Sequence, residues 1–100
     1  MKKMKTKQYV VVTTDKDRRG VFGGFLKSYD PATQIAKLTE ARIALYWSAE
    51  TKGVFGLAAI GPQDGSRVSH TVPEIEVNGV TAVINCTDEA VKQWEKGIWN

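Results

Sequence analysis

The chain has 100 residues, of which 42% are hydrophobic, and its formal net charge is +3. This length accommodates one domain, and no apolar run approaches the roughly 20 residues of a membrane-spanning helix. A single cysteine excludes an internal disulfide and an all-cysteine zinc site, so we expect a reducing cytoplasm.

The basic side chains are concentrated at the N-terminus. Residues 1–19 contain seven Lys or Arg and two Asp, a net charge of +5, whereas the rest of the chain has a net charge of −2. A duplex-binding domain normally carries its basic side chains on the folded face that follows the phosphates. We therefore interpret residues 1–7 as a basic tail, either solubilising or contacting nucleic acid, on a single domain formed by residues 8–100.

Two strands are predicted first. Residues 8–14 (QYVVVTT) are β-branched and aromatic, as is typical of a strand. Residues 20–29 predict a second strand, which is interrupted by Gly23 and Gly24. Glycines inside a strand mark a bulge or sharp bend, so we expect the sheet to bend strongly there.

A turn, a third strand and a segment without clear periodicity follow. Asp30 followed by proline is the signature of a type I turn. Residues 34–39 predict a strand that either ends there or continues through 41–47. The following stretch contains four glycines, and its pattern leaves open whether residues 54–60 form a strand or a helix.

The clearest local pattern is a predicted β-hairpin. Residues 74–77 (EIEV) and 80–84 (VTAVI) flank the dipeptide Asn78-Gly79. Asn-Gly supplies the two positive φ angles of a type I′ turn. The last residue of the first strand should then face the first residue of the second.

A short helix is predicted at about residues 88–96. Thr87 is a suitable N-cap, acidic residues follow in the first turn, and Gly97 fits the position after the last turn. Trp94 lies on its apolar face and should anchor it to the sheet. The fold class is therefore mainly β: a small antiparallel sheet of five to seven strands, strongly bent or closed into a barrel, plus this C-terminal helix.

The chain lacks a recognisable catalytic constellation. His70 is the only histidine and alternates with valines in a predicted strand at 67–72, so we interpret it as a packed imidazole. Cys86 precedes a helix N-terminus, which lowers a thiol pKa. A nucleophile also needs an oriented base, so we expect a buried cysteine. The sequence predicts no enzyme activity, no metal site and no cofactor.

One segment combines residues suited to an anionic, flat ligand. Glycine-rich turns expose backbone N–H groups, an aromatic side chain offers a stacking surface, and a guanidinium forks onto two oxygens. In the alternative interpretation the aromatics belong to the core and the glycines turn corners. The predicted ligand-binding residues are Tyr46, Trp47, Lys52, Gly65, Ser66 and Arg67.

Several segments together resemble a family of small phage and prophage proteins that has no assigned activity. The resemblance covers about residues 8–99 and implies a phage protein in the host bacterial cytoplasm. The segments that carry it are Tyr9–Thr14, Arg19–Phe22, Ala41-Arg42, Tyr46–Ala58, Gly61-Pro62, Ser66–Val68, Cys86–Val91 and Trp94-Glu95.

The resemblance and the predicted site together suggest a function. We expect a non-enzymatic host-takeover or counter-defence protein that sequesters a nucleotide-like or anionic ligand, or a host protein, without acting at a membrane. The alternative is a phage structural or nucleic-acid-interaction protein that uses the basic tail. Because small barrels leave open edges and this chain has many aromatic residues, we also expect a homo-oligomer.

Overall fold

The computed structural model describes residues 8–15 and 20–96. The predicted basic tail, residues 1–7, lies outside them, as does most of the first turn. The elements in chain order are β1 (Tyr9–Thr14), β2 (Val21–Asp30), β3 (Ile35–Tyr46), a 3-10 turn (Ala49–Thr51), α1 (Gly53–Ala59), β4 (Arg67–Val68), β5 (Val72–Val77), β6 (Val80–Asn85) and α2 (Asp88–Lys96).

The six described strands form one antiparallel sheet. The order across the sheet is β4-β3-β2-β1-β6, and β5 pairs with the same long strand, β3, that pairs with β4. The mainly β fold class is therefore confirmed, and the third predicted strand continues unbroken to Tyr46. The strand predicted at 67–72 is only two residues long: β4 ends at Val68, and β5 begins at Val72.

The predicted Asn-Gly hairpin is wrong, although both of its strands exist. Within the described sheet, β5 pairs with β3 and β6 pairs with β1, so the two strands are not partners. Gly79 has a φ of +69°, but Asn78 is not among the residues with positive φ, and a type I′ turn needs both. The corner is instead held by long-range bonds: Val80 N–H donates to the Gln34 carbonyl, and Asp15 N–H to that of Gly79.

This corner shows that the sheet is curled. Two residues separate Val77 from Val80, so their Cα atoms are at most about 11 Å apart. In a flat sheet of this order, β5 and β6 would lie four strand spacings apart, roughly 19 Å. The edges therefore converge at the corner without hydrogen bonding to each other. Of the two predicted architectures the bent sheet is formed, and the barrel is not, because β5 and β6 leave the sheet open.

The two adjacent glycines of β2 lie where the sheet bends. The β2–β3 register shifts between Gly23 and Phe25. A Cβ at Gly23 would lie 2.8 Å from ring carbons of Trp94, and a Cβ at Gly24 would lie 3.1 Å from the Thr39 carbonyl oxygen on β3. Glycine therefore lets the helix on one face and the neighbouring strand on the other approach the backbone closely.

The sheet is buried on both faces, which explains the unbroken apolar run of β1. Alternate residues of β1 enter two separate cores. The helix-face core lies under α1 and α2, and its buried members are Tyr9, Val11, Ala44, Leu57, Ala58, Val68, Cys86, Ala90 and Trp94. The inner core lies inside the curl, and its buried members are Val10, Val12, Ala36, Leu38, Ala41, Val77 and Val80.

Both helices pack on one face of the sheet. The predicted C-terminal helix is confirmed as α2, and the Thr87 hydroxyl oxygen accepts the Ala90 N–H at 3.1 Å as an N-cap. Trp94 is fully buried and donates its indole N–H to the Leu57 carbonyl at 2.9 Å, which ties α2 to α1. Residues 54–60, for which the sequence left strand or helix open, are helical: they lie in α1 and its C-cap residue, Ile60. Neither helix has the length and apolar character to cross a bilayer, as far as the described residues show.

Candidate functional site

The predicted ligand-binding residues lie on an excursion between β3 and β4. The chain leaves the sheet after Tyr46, forms the 3-10 turn and α1, and returns at Arg67, which is the register partner of Tyr46. The register shifts between Ala44 and Tyr46, so this pair lies at a bulge where the two backbones are adjacent. Tyr46 is 58% exposed and Arg67 is also exposed. We call this pair the Tyr46–Arg67 surface.

A buried hydroxyl network, formed by Ser48, Thr51, Gln63 and Ser66, closes the excursion beneath this surface. The Ser66 Oγ accepts the backbone N–H of Ser48 at 3.0 Å and shares a hydrogen bond with the Thr51 Oγ1 at 3.3 Å. The Thr51 Oγ1 in turn accepts the backbone N–H of Gln63 at 3.1 Å. Thr51 and Ser66 are fully buried. The network holds the outgoing and returning arms of the excursion together.

A tight turn brings the returning arm to Arg67. The Ser66 N–H donates to the Gln63 carbonyl at 3.0 Å, and Gly65, with a φ of +89°, occupies the third position of this type II turn. A Cβ on Gly65 would lie 3.5 Å from the Cβ of Ser48, so the turn lies directly over the outgoing arm. The Ser48 hydroxyl below it is inaccessible and has no hydrogen-bond partner in the described part of the chain.

Four of the six predicted residues are exposed, and the other two are half-buried or buried. Tyr46, Lys52, Gly65 and Arg67 are exposed, and Tyr46 and Arg67 are register partners. Lys52 has a left-handed φ of +68°. It follows Thr51, whose hydroxyl contacts that of Ser66, the residue before Arg67.

The other two residues serve the fold. Trp47 is half-buried against the helix-face core. The Ser66 hydroxyl is fully buried and hydrogen-bonded within the excursion, so it holds the two arms together.

A second concave site, which the sequence reasoning missed, opens beside α2. We call it the Tyr9–Arg42 cleft; its volume is about 230 Å³. A phenol, a guanidinium, a hydroxyl and two carboxylates line it, together with the ring of Phe25. The lining residues are Tyr9, Phe25, Glu40, Arg42, Thr71 and Glu95. The signal that could have found it is the pair of charged residues, Glu40 and Arg42, where the strand predicted at 34–39 meets its possible continuation at 41–47.

The backbone at Glu40 departs from regular strand geometry. Gly23 pairs with Arg42 and Phe25 with Thr39, so Glu40 and Ala41 together oppose Gly24 alone. This is a β-bulge, and Glu40 adopts a φ of +48°, a left-handed value that is uncommon for a residue with a side chain. Bulges of this kind redirect side chains and are frequent beside functional sites.

Burial perturbs two acidic groups near the cleft. Desolvation raises the pKa of the Tyr9 phenol well above its ordinary value, so the phenol remains a neutral O–H donor at physiological pH. Desolvation also raises the pKa of the Cys86 thiol to about 12. The thiolate is the nucleophilic form, so this cysteine is held in its unreactive state, as the prediction of a buried residue requires.

The remaining candidates for chemistry do not converge. The prediction of a strand-packed imidazole at His70 is wrong, because His70 is exposed in the link between β4 and β5, outside both strands. Across residues 8–15 and 20–96, no three His, Cys, Asp or Glu side chains are grouped as a metal would require.

Comparison with known proteins places the chain in a family without assigning it an activity. No curated protein and no solved structure matches it. Residues 7–94 match a family described as a domain of unknown function, DUF6948. Because this match spans most of the chain, including every described strand and nearly all of α2, the protein belongs to the DUF6948 family.

Proposed function

We propose that this protein is a non-enzymatic binding module that captures a nucleotide-like ligand on the Tyr46–Arg67 surface. One observation carries the proposal: the pairing of β3 with β4 makes Tyr46 and Arg67, both exposed, neighbours across the two strands. An aromatic ring stacks on a base, and the planar fork of an arginine matches two phosphate oxygens.

The surface recognises a ligand locally and does not attract it from a distance. Lys52 and Arg67 contribute two positive charges to the excursion, and Glu50 and Asp64, both exposed, contribute two negative ones. The excursion is therefore neutral, and long-range steering of anions is weak. Affinity then depends on the fork and the stacked ring, held in place by the buried hydroxyl network.

Calorimetry with three related probes tests this proposal. Adenosine monophosphate carries base and phosphate, adenosine carries only the base, and inorganic phosphate only the anion. The monophosphate should bind more tightly than either fragment. Arg67→Ala should weaken it at least tenfold, because a hydrogen bond to a charged group contributes about 1.5–3 kcal/mol. Arg67→Lys retains the charge without the fork and should recover only part of the affinity.

The controls separate binding from folding. Tyr46→Ala removes an exposed ring and should weaken the monophosphate and adenosine while leaving the melting temperature unchanged. Lys92→Ala, an exposed cation on α2, should change neither. If Arg67→Ala binds adenosine monophosphate as tightly as the unmodified protein, the Tyr46–Arg67 surface is not the site. If the protein instead binds a nucleic acid, and that binding weakens steeply as the salt concentration rises, the contacts are to the nucleic-acid backbone.

The biological setting follows from the sequence resemblance alone. Sequestration of a nucleotide signal is what a phage counter-defence protein of this kind would do, and this role, like the phage origin, stays a prediction. So does the homo-oligomer. Among the aromatic residues of the chain, Tyr9 and Trp94 are buried in its own core, whereas Tyr46 and Phe55 are exposed and available for assembly.

A further inference from the structure

A buried tyrosine lines the Tyr9–Arg42 cleft. Tyr9 is only 3% exposed, and its ring is fixed edge-to-face against Phe25, with centroids 5.0 Å apart. Its hydroxyl has no hydrogen-bond partner within the described ranges. The only side-chain nitrogen or oxygen there that is both sealed from solvent and unpartnered belongs to Ser48. The Tyr9 hydroxyl is not among those sealed atoms, and Tyr9 lines the cleft, so its O–H is accessible to a ligand there.

Charges of both signs surround this hydroxyl. Arg42 is anchored by one bond, from its Nη1 to the Ser69 carbonyl at 3.0 Å, which leaves its other N–H groups available. Glu40 and Glu95 act electrostatically on the same phenol. Neither carboxylate forms an ion pair with Arg42 in the part of the chain that the structure describes. The bulge holds Glu40 in a strained backbone conformation that a purely structural strand would not need.

The lining selects for a ligand that is itself both acidic and basic. One guanidinium and two carboxylates give the cleft a net charge of −1, which disfavours a simple anion. A carboxylate could accept hydrogen bonds from Arg42 and the Tyr9 hydroxyl, while an ammonium group approaches the glutamates. The cleft volume of about 230 Å³ equals roughly seven or eight water molecules at ~30 Å³ each, enough for a molecule of about amino-acid size.

We propose that the Tyr9–Arg42 cleft is a binding site for a small zwitterion, a free α-amino acid. Its carboxylate is held by Arg42 and Tyr9, and its ammonium group by Glu40 and Glu95. The rings of Tyr9 and Phe25 contact its aliphatic part. The Tyr9–Arg42 cleft and the Tyr46–Arg67 surface share no residue, so one proposal can fail without the other.

Three matched probes followed by ¹H–¹⁵N NMR test the proposal on the full chain. L-leucine carries both charges, L-leucinamide retains only the ammonium group, and 4-methylpentanoate retains only the carboxylate. We expect saturable shifts of the Phe25 amide and the Arg42 Nε–H with L-leucine. Both analogues should bind more weakly, because each leaves charged groups of the cleft without a partner.

Two variants assign the contacts. Tyr9→Phe removes a hydroxyl that has no hydrogen-bond partner among the described residues, and it should weaken L-leucine binding about tenfold with no loss of melting temperature. Glu95→Gln should weaken L-leucine and L-leucinamide but not 4-methylpentanoate. Glu89→Gln, on the same helix but outside the cleft, is the control and should change no probe. Equal affinity for all three probes, unchanged L-leucine binding in both variants, or no saturable shift at the solubility limit of L-leucine would overturn the proposal.

Discussion

The substitution Ser66→Ala decides whether this serine serves a ligand or the fold. In the structure its Oγ is the acceptor for the Ser48 N–H at 3.0 Å and the partner of the Thr51 hydroxyl at 3.3 Å. Alanine leaves that N–H without an acceptor in a site where Ser66 and Thr51 are fully buried. A buried donor left unsatisfied costs about 1–3 kcal/mol.

This cost should be visible as a large loss of thermal stability. For a domain of this size 1 kcal/mol shifts the melting temperature by about 4–8 °C, so we expect Ser66→Ala to melt roughly 4–24 °C lower. Calorimetry or circular dichroism measures the shift directly. Ser28→Ala, an exposed serine on β2, is the matched control and should change stability by less than about 0.5 kcal/mol.

A double-mutant cycle tests the pairing itself. Because the Thr51 and Ser66 hydroxyls share one hydrogen bond, Thr51→Val and Ser66→Ala should be non-additive by about 0.5–3 kcal/mol. Strict additivity would show that the two hydroxyls act independently. If Ser66→Ala melts together with the unmodified protein but loses ligand, then Ser66 contacts the ligand and the buried network is not what holds the excursion.

Two further predictions concern the helix-face core. Gly23→Ala places a methyl group 2.8 Å from ring carbons of Trp94 and should cost about 1–3 kcal/mol in denaturant unfolding; a variant as stable as the unmodified protein would contradict the close approach. Because burial raises the pKa of the Cys86 thiol from 9 to about 12, the folded state keeps a proton that the unfolded chain releases above pH 9. The contribution of this thiol to the free energy of unfolding is therefore complete below pH 9 and is lost as the pH rises from 9 to 12, at up to ~1.4 kcal/mol per pH unit. In Cys86→Ala the free energy of unfolding should vary less with pH over that range.

The local elements could be predicted from the sequence because their causes are local. The apolar run of β1, the acidic first turn of α2 and its Thr87 cap depend on residues within a few positions of one another. The glycine pair of β2 likewise indicated the bend before the neighbouring strand and helix were known. Such patterns specify the type and approximate bounds of an element whatever it later packs against.

The strand partners were decided only by tertiary structure. Asn78-Gly79 has the composition of a hairpin turn, yet burial of Val77 and Val80 in one inner core is satisfied equally well when their strands pair with β3 and β1. The hydrogen bonds that hold the corner come from Gln34 and Asp15, far away in the chain. A short-range turn signal carries no information about such partners.

The sites show the same division. The sequence by itself placed Tyr46 and Arg67 in one candidate site, because a glycine-rich excursion with an aromatic at one end and an arginine at the other has a local pattern. Only the fold turned Ser66 inward. Only the fold, too, brought Tyr9, Arg42 and Glu95 to one cleft from a first strand, a third strand and the last helix. Groups so far apart in the chain come together because the sheet curls and a helix packs across it, and no local sequence pattern predicts that contact.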